Sequence, residues 1–82
     1  MTKNKNTPTT VSEATALGNT MWEFNGERRE IIRVEGAVLS QYDHRTVLAD
    51  VYWRKEGEKE RSKPTPLTTF RTWLNKAKLI SH

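Results

Sequence analysis

The chain has 82 residues, 14 Lys/Arg against 10 Asp/Glu, no cysteine and 34% apolar side chains. That length permits one domain with a small core, burying about 60–65% of the surface its unfolded form exposes. The missing cysteines remove any disulfide framework or thiolate metal site and point to a reducing, cytoplasmic compartment, and no apolar run approaches the ~18 residues of a membrane span or the core of an export signal.

Residues 1–19 are mostly Thr, Asn, Lys and Ser, with only Met1, Val11, Ala14, Ala16 and Leu17 to bury. Such a composition does not offset the entropy of ordering, so a flexible polar arm is expected, with Ser12 capping at most one helical turn that stops at Gly18-Asn19. A single β-rich domain is expected over residues 20–80. Met21-Trp22-Glu23-Phe24 and the run Glu27 to Glu35 flank Asn25-Gly26, the pair that a type I′ hairpin turn selects because both central residues need φ > 0. Gly36 is expected to break the chain before a third strand, Ala37 to Tyr42, and Asp43-His44-Arg45 to form the next loop. The run Thr46 to Arg54 alternates Val47, Ala49, Val51, Trp53 with Leu48, Asp50, Tyr52, which suits a central strand with one dry and one mixed face. Lys55-Glu56-Gly57-Glu58 reads as a tight turn into a short charged edge strand, Lys59 to Ser62.

Proline at 64 and 66 ends the sheet and opens a helix, with Thr65 as N-cap and Pro66 at the first position, running to about Leu79. Leu67, Phe70, Trp73, Leu74, Ala77 and Ile80 form its apolar stripe, so Arg71, Asn75, Lys76 and Lys78 are expected on the solvent side. The fold class that results is α+β: a small five-stranded antiparallel meander, a partly open SH3-like barrel, closed by one C-terminal helix.

Charge is unevenly distributed along this plan. From residue 61 onward there is no carboxylate side chain, while Arg61, Lys63, Arg71, Lys76 and Lys78 are present; between Thr20 and Glu60, seven Lys/Arg face nine Asp/Glu. A cationic terminus on an acidic body suggests a binding face for phosphates or for an acidic protein surface, against the plainer reading of a solvated helix face. Trp22, Trp53 and Trp73 fall in phase with apolar faces and are read as core, whereas Tyr42 and Tyr52 beside polar loops are candidates for stacking on nucleobases.

Catalysis and cofactors are not expected. His44 sits in a turn between Asp43 and Arg45, the four glycines are isolated, and there is neither an HxxxH pair nor an EF-hand loop.

Glu35-Gly36-Ala37-Val38 followed by Val51-Tyr52-Trp53 resembles a small SH3-like or Tudor-like barrel. Trp22 in a first strand, Arg33-Val34-Glu35, and Phe70-Arg71-Thr72-Trp73-Leu74 also resemble short accessory proteins carried by temperate phages and plasmids. The resemblance spans about residues 20 to 80 and implies nucleic-acid accessory roles or inhibition of host machinery, with no catalytic residues to carry over.

Two functions are therefore expected in competition. In the first, Arg61, Lys63, Arg71, Lys76 and Lys78, helped by Lys3 and Lys5, contact the phosphates of nucleic acid with low specificity, and Asn75 or Arg71 supplies any base contact. In the second, the protein is an interaction module or inhibitor that meets an acidic partner or extends a partner's sheet, with homodimerisation through the first strand as a further route.

Overall fold

The computed structural model describes residues 6–81. Five antiparallel strands form one sheet, joined by two short helices: α1 (Val11–Thr15), β1 (Thr20–Phe24), β2 (Glu27–Leu39), β3 (Val47–Lys55), β4 (Thr65–Pro66), α2 (Leu67–Leu74) and β5 (Lys78–Ser81). The α+β class and the number of antiparallel strands are as expected, but the strands themselves differ in three places. The strand order is β4-β3-β2-β1-β5, an open sheet that does not close into a barrel. Four strands form a meander; α2 then carries the chain from the β4 edge to the opposite edge, where β5 pairs with β1.

Asn25 and Gly26 have φ of 55° and 83°, as the hairpin signal requires. Gly36 acts differently from expectation. At φ 66° it introduces a register shift between Glu35 and Val38, so the chain bulges and continues instead of breaking, and the second and third expected strands are one strand of 13 residues. That strand is the middle of the sheet, and β3 lies beside it.

The charged edge strand expected over Lys59 to Ser62 is absent. This segment runs along the outer side of β3 with one long backbone link, Arg61 N–H to Trp53 carbonyl at 3.4 Å, and the edge is made by Thr65–Pro66 instead. Proline leaves that edge without a donor at Pro66, which blunts it against further pairing. Thr65 is consequently not an N-cap: its hydroxyl accepts a 2.8 Å bond from the Trp53 indole N–H, and Pro66 occupies the cap position of α2 without a side-chain bond.

Alternation along the strands separates two faces. Trp22, Ile31, Val47, Val51 and Trp53 point to one side, where Leu67, Phe70 and Leu74 of α2 and Ala14 of α1 complete a single core. The opposite face carries Arg28, Glu30, Arg33, Tyr52 and Arg54 and is largely polar.

Packing extends into the segment expected as a mobile arm. Thr10, not Ser12, caps α1, accepting from the Glu13 N–H at 3.0 Å, and the Glu13 carboxylate returns to accept from the Thr9 N–H at 2.8 Å. Thr-x-x-Glu is a capping-box pattern, and it sets Ala14 fully inside the core. Farther back, the Asn6 side chain reaches the end of α2. Lys3 and Lys5, expected to help in phosphate contact, lie outside the described residues.

Candidate functional site

Four arginines of the central strands are ion-paired: Arg28 with Glu23 and Glu56, Arg29 with Glu27, Arg33 with Glu35 and Glu60, and Arg54 with Glu30, whereas Arg45, Lys55 and Lys59 form no ion pair among the described residues. Among the described residues, no carboxylate lies within ion-pair distance of Arg61, Lys63, Arg71, Lys76 or Lys78. Sequence explains part of the difference: Arg28–Glu23 and Arg54–Glu30 are cross-strand partners and Arg29–Glu27 and Arg33–Glu35 lie two apart on β2, whereas the last 22 residues hold no acidic side chain and Lys78, opposite Glu23 on β1, forms no ion pair with it.

The helix expected to display these cations is shorter than its apolar stripe suggests. It ends at Leu74, so only Arg71 among the expected contacts is helical; Asn75 is its C-cap, Lys76 lies in the following turn and Lys78 opens β5. The interruption is tertiary in origin. Asn6 Nδ2 donates to the carbonyls of Leu74 and Ala77, both at 2.9 Å, and Thr7 Oγ1 donates to Asn75 Oδ1 at 2.7 Å. These bonds satisfy carbonyls that another helical turn would have used, and β1 offers residues 78–81 a free ladder edge. Asn75 is thereby committed to Thr7 through its side-chain oxygen and is poorly placed for base readout.

Arg61 and Lys76 mark two points of a row of cations and aromatic rings at the end of the core face nearest the β1–β2 turn. The guanidinium carbon of Arg61 lies 4.2 Å from the centre of the Trp53 ring, and that of Arg29 lies 4.2 Å from Trp53 and 4.4 Å from Trp73. Arg29 is opposite Trp22 on β1, and Lys76 Nζ is 5.9 Å from the Phe24 ring. Cation and ring faces attract electrostatically, by about 0.5–1 kcal/mol at exposed sites, which holds flexible side chains in a defined row. Beside it, Asn75, Lys76 and Lys78 line an open hollow of about 470 Å³ with Trp22 and Asn6. Lys63 is exposed in the loop before β4.

The tyrosines are elsewhere. Tyr52 lies on the opposite face, half-buried beneath the Arg33 guanidinium at 3.9 Å, so one face of its ring is already covered. Tyr42 is 98% exposed in the β2–β3 loop, at the far end of the long hairpin from the row. Trp22 and Trp53 are buried and Trp73 is partly buried, in keeping with their reading as core.

Arg29 is the member that sequence reasoning passed over, and a signal existed. It is in phase with Ile31 on β2, so the period-two pattern places an arginine on the dry face, where it needs a ring or a carboxylate beside it.

Comparison with protein-family models, with curated proteins and with solved structures yields no match.

Proposed function

We propose that this protein is a non-enzymatic nucleic-acid-binding accessory protein whose contact surface is the rim formed by Arg61, Lys63, Arg71, Lys76 and Lys78, with the aromatic row behind it. The observation that carries this reading is that the five cations from Arg61 to Lys78 are all without an ion pair among the described residues, while four arginines of the central strands are held by carboxylates. A cation already held by a carboxylate gains little from a phosphate, whereas an unpaired one carries a counterion atmosphere that phosphate binding releases, with a gain in entropy. Phe24, 36% exposed beneath Lys76, provides a flat apolar surface beside these charges for a base, and stacking of this kind tolerates any sequence. Low specificity follows, since three of the five rim cations are lysines, which meet phosphate as point charges, and Asn75 is held by Thr7.

The test is a salt titration of binding to an unstructured oligonucleotide and to a duplex. If about five cations neutralise phosphates, log K against log salt falls with a slope of about −4 to −5 on duplex and less steeply on single strands. The triple variant Arg71→Gln, Lys76→Gln, Lys78→Gln reduces that slope by roughly 2 to 3. Replacing Arg28 and Arg33, which are ion-paired, leaves it nearly unchanged. A wild type that fails to bind either oligonucleotide at low salt rejects the proposal.

A second reading, a protein-interaction module or inhibitor, is favoured by β5. This strand lies at the sheet edge and all four of its residues are exposed, so strand addition by a partner is open to it. The first strand cannot serve that purpose, because β1 is hydrogen-bonded to β2 on one side and β5 on the other.

A further inference from the structure

Three features of the rim come together at its β1–β5 end. Phe24 is the last residue of β1, in phase with Trp22 on the core face, and is 36% exposed. Two residues back along the strand, about 7 Å away, Trp22 forms one wall of the open hollow of about 470 Å³. Ala77 and Leu79 add apolar lining to that hollow, and Asn6, Lys76 and Lys78 add polar lining. Lys76 belongs to both places: it lines the hollow, and its Nζ lies 5.9 Å from the centre of the Phe24 ring.

A nucleobase is a flat heterocycle with a polar edge. It gains from a ring on which to stack and from an apolar wall with polar groups at its margin, and this end of the rim supplies both. The phosphates on either side of a base carry the charge for which Lys76 and Lys78 have no partner among the described residues. A duplex uses only the charges. Its bases are paired and stacked inside the phosphate cylinder, so it meets the lysines but presents no base face to Phe24 and sends no base into a concave site. The Lys76 ammonium stands near the limit of about 6 Å for attraction to a ring, so a base displaces it from Phe24 at little cost. The hollow is also preformed. The two bonds from Asn6 to the Leu74 and Ala77 carbonyls fix the turn that walls it, and a base entering it therefore loses little to ordering of the protein.

We propose that the ligand is an unpaired nucleic-acid strand, with one base seated in the hollow beside Trp22 and Leu79, its neighbour lying on Phe24, and the phosphates between them against Lys76 and Lys78. This rests on the nucleic-acid reading above and narrows it: the cations of the rim serve any nucleic acid, whereas the ring and the hollow select strands whose bases are free. Arg61, Lys63 and Arg71 extend the path of the backbone across the sheet without adding to that preference.

Fluorescence anisotropy of the full chain at about 0.15 M salt, with labelled ligands of about 12 nucleotides, tests it. The ligands are oligothymidine, a duplex of the same length and an abasic strand with the same number of phosphates. Oligothymidine binds about tenfold or more tightly than the other two, since one stacked base is worth roughly 5- to 100-fold in affinity. Phe24→Ala lowers oligothymidine binding by about that factor and leaves duplex binding within about twofold. Phe24→Leu, apolar but without a ring, behaves as Phe24→Ala, and Phe24→Tyr restores the preference, which general damage to the fold would not produce. In nuclear magnetic resonance spectra the Asn6 side-chain amide shifts on addition of oligothymidine and stays in place with the abasic strand. A parallel series with oligouridine distinguishes an RNA from a DNA strand, with the same ranking against its abasic and duplex forms. A duplex or abasic strand that binds as tightly as the oligonucleotide, or a Phe24→Ala variant that weakens both equally, overturns the proposal and leaves the rim as a general phosphate surface. Failure of every ligand to bind overturns it together with the nucleic-acid reading.

Discussion

Replacing Asn6 by Ala removes one side chain near the start of the chain and acts at its other end, 68 and 71 positions away. The lost bonds are two, both at 2.9 Å and partly buried, and a hydrogen bond contributes about 0.5–1.5 kcal/mol net. The two acceptors are not equal. Leu74 O keeps a 3.0 Å bond from the Ala77 N–H, whereas Ala77 O belongs to the turn before β5 and loses its Asn6 partner. The total is therefore set in the lower half of the range, about 1–2 kcal/mol. With a urea m value of about 1 kcal/mol/M, at the low end for small proteins, the midpoint falls by about 1–2 M. Amide exchange over residues 75–81 accelerates more than in β2 and β3, because the turn that presents Lys76 and Lys78 is released while the core stays packed. Asn6→Asp is worse than Asn6→Ala, since it aims a carboxylate at two carbonyls. An Asn6→Ala midpoint within 0.2 M of wild type, with unchanged exchange at residues 75–81, would refute the view that the start of the chain clamps the end of α2.

Leu74 is fully buried, and Leu74→Ala costs about 2–5 kcal/mol through lost transfer energy and the cavity left behind. For a chain of 82 residues the whole stability is on the order of 4–12 kcal/mol, so a large share of it is lost and calorimetry finds the melting temperature lowered by about 10 °C or more. Asp43 is held below the usual carboxylate range, first by the Thr46 hydroxyl and then by the N–H groups of Thr46 and Arg45. A depressed folded value means stability that is complete above the unfolded pKa of about 3.9 and is lost as pH falls toward the folded one. Asp43→Ala is accordingly less stable than wild type at pH 7, and the gap between their melting temperatures narrows steadily below about pH 4.

The parts of this protein legible in its residues are those with local causes. Asn25-Gly26 dictates a turn because few other residue pairs tolerate positive φ twice in succession, and the alternation of Val47, Val51 and Trp53 against Leu48, Asp50 and Tyr52 sorts β3 into two faces whatever lies beside it. The cationic run from Arg61 is visible by inspection, and so is the lack of acids to neutralise it. Where several conformations were locally affordable, distant partners chose. Residues 75–81 carry a helical stripe, but Asn6 takes the carbonyls that would extend α2 and the open edge of β1 offers a ladder, so Lys78 begins a strand. Thr65 can cap a helix, yet the Trp53 indole claims its hydroxyl. Ala14 belongs to a polar segment that cannot order itself, and the sheet supplies the apolar surface that makes ordering favourable. Propensity and pattern are properties of a few neighbouring residues, whereas the occupant of a carbonyl or an edge is a property of the whole chain, and that is why the charges were evident from the sequence while the surface presenting them was decided by the tertiary structure.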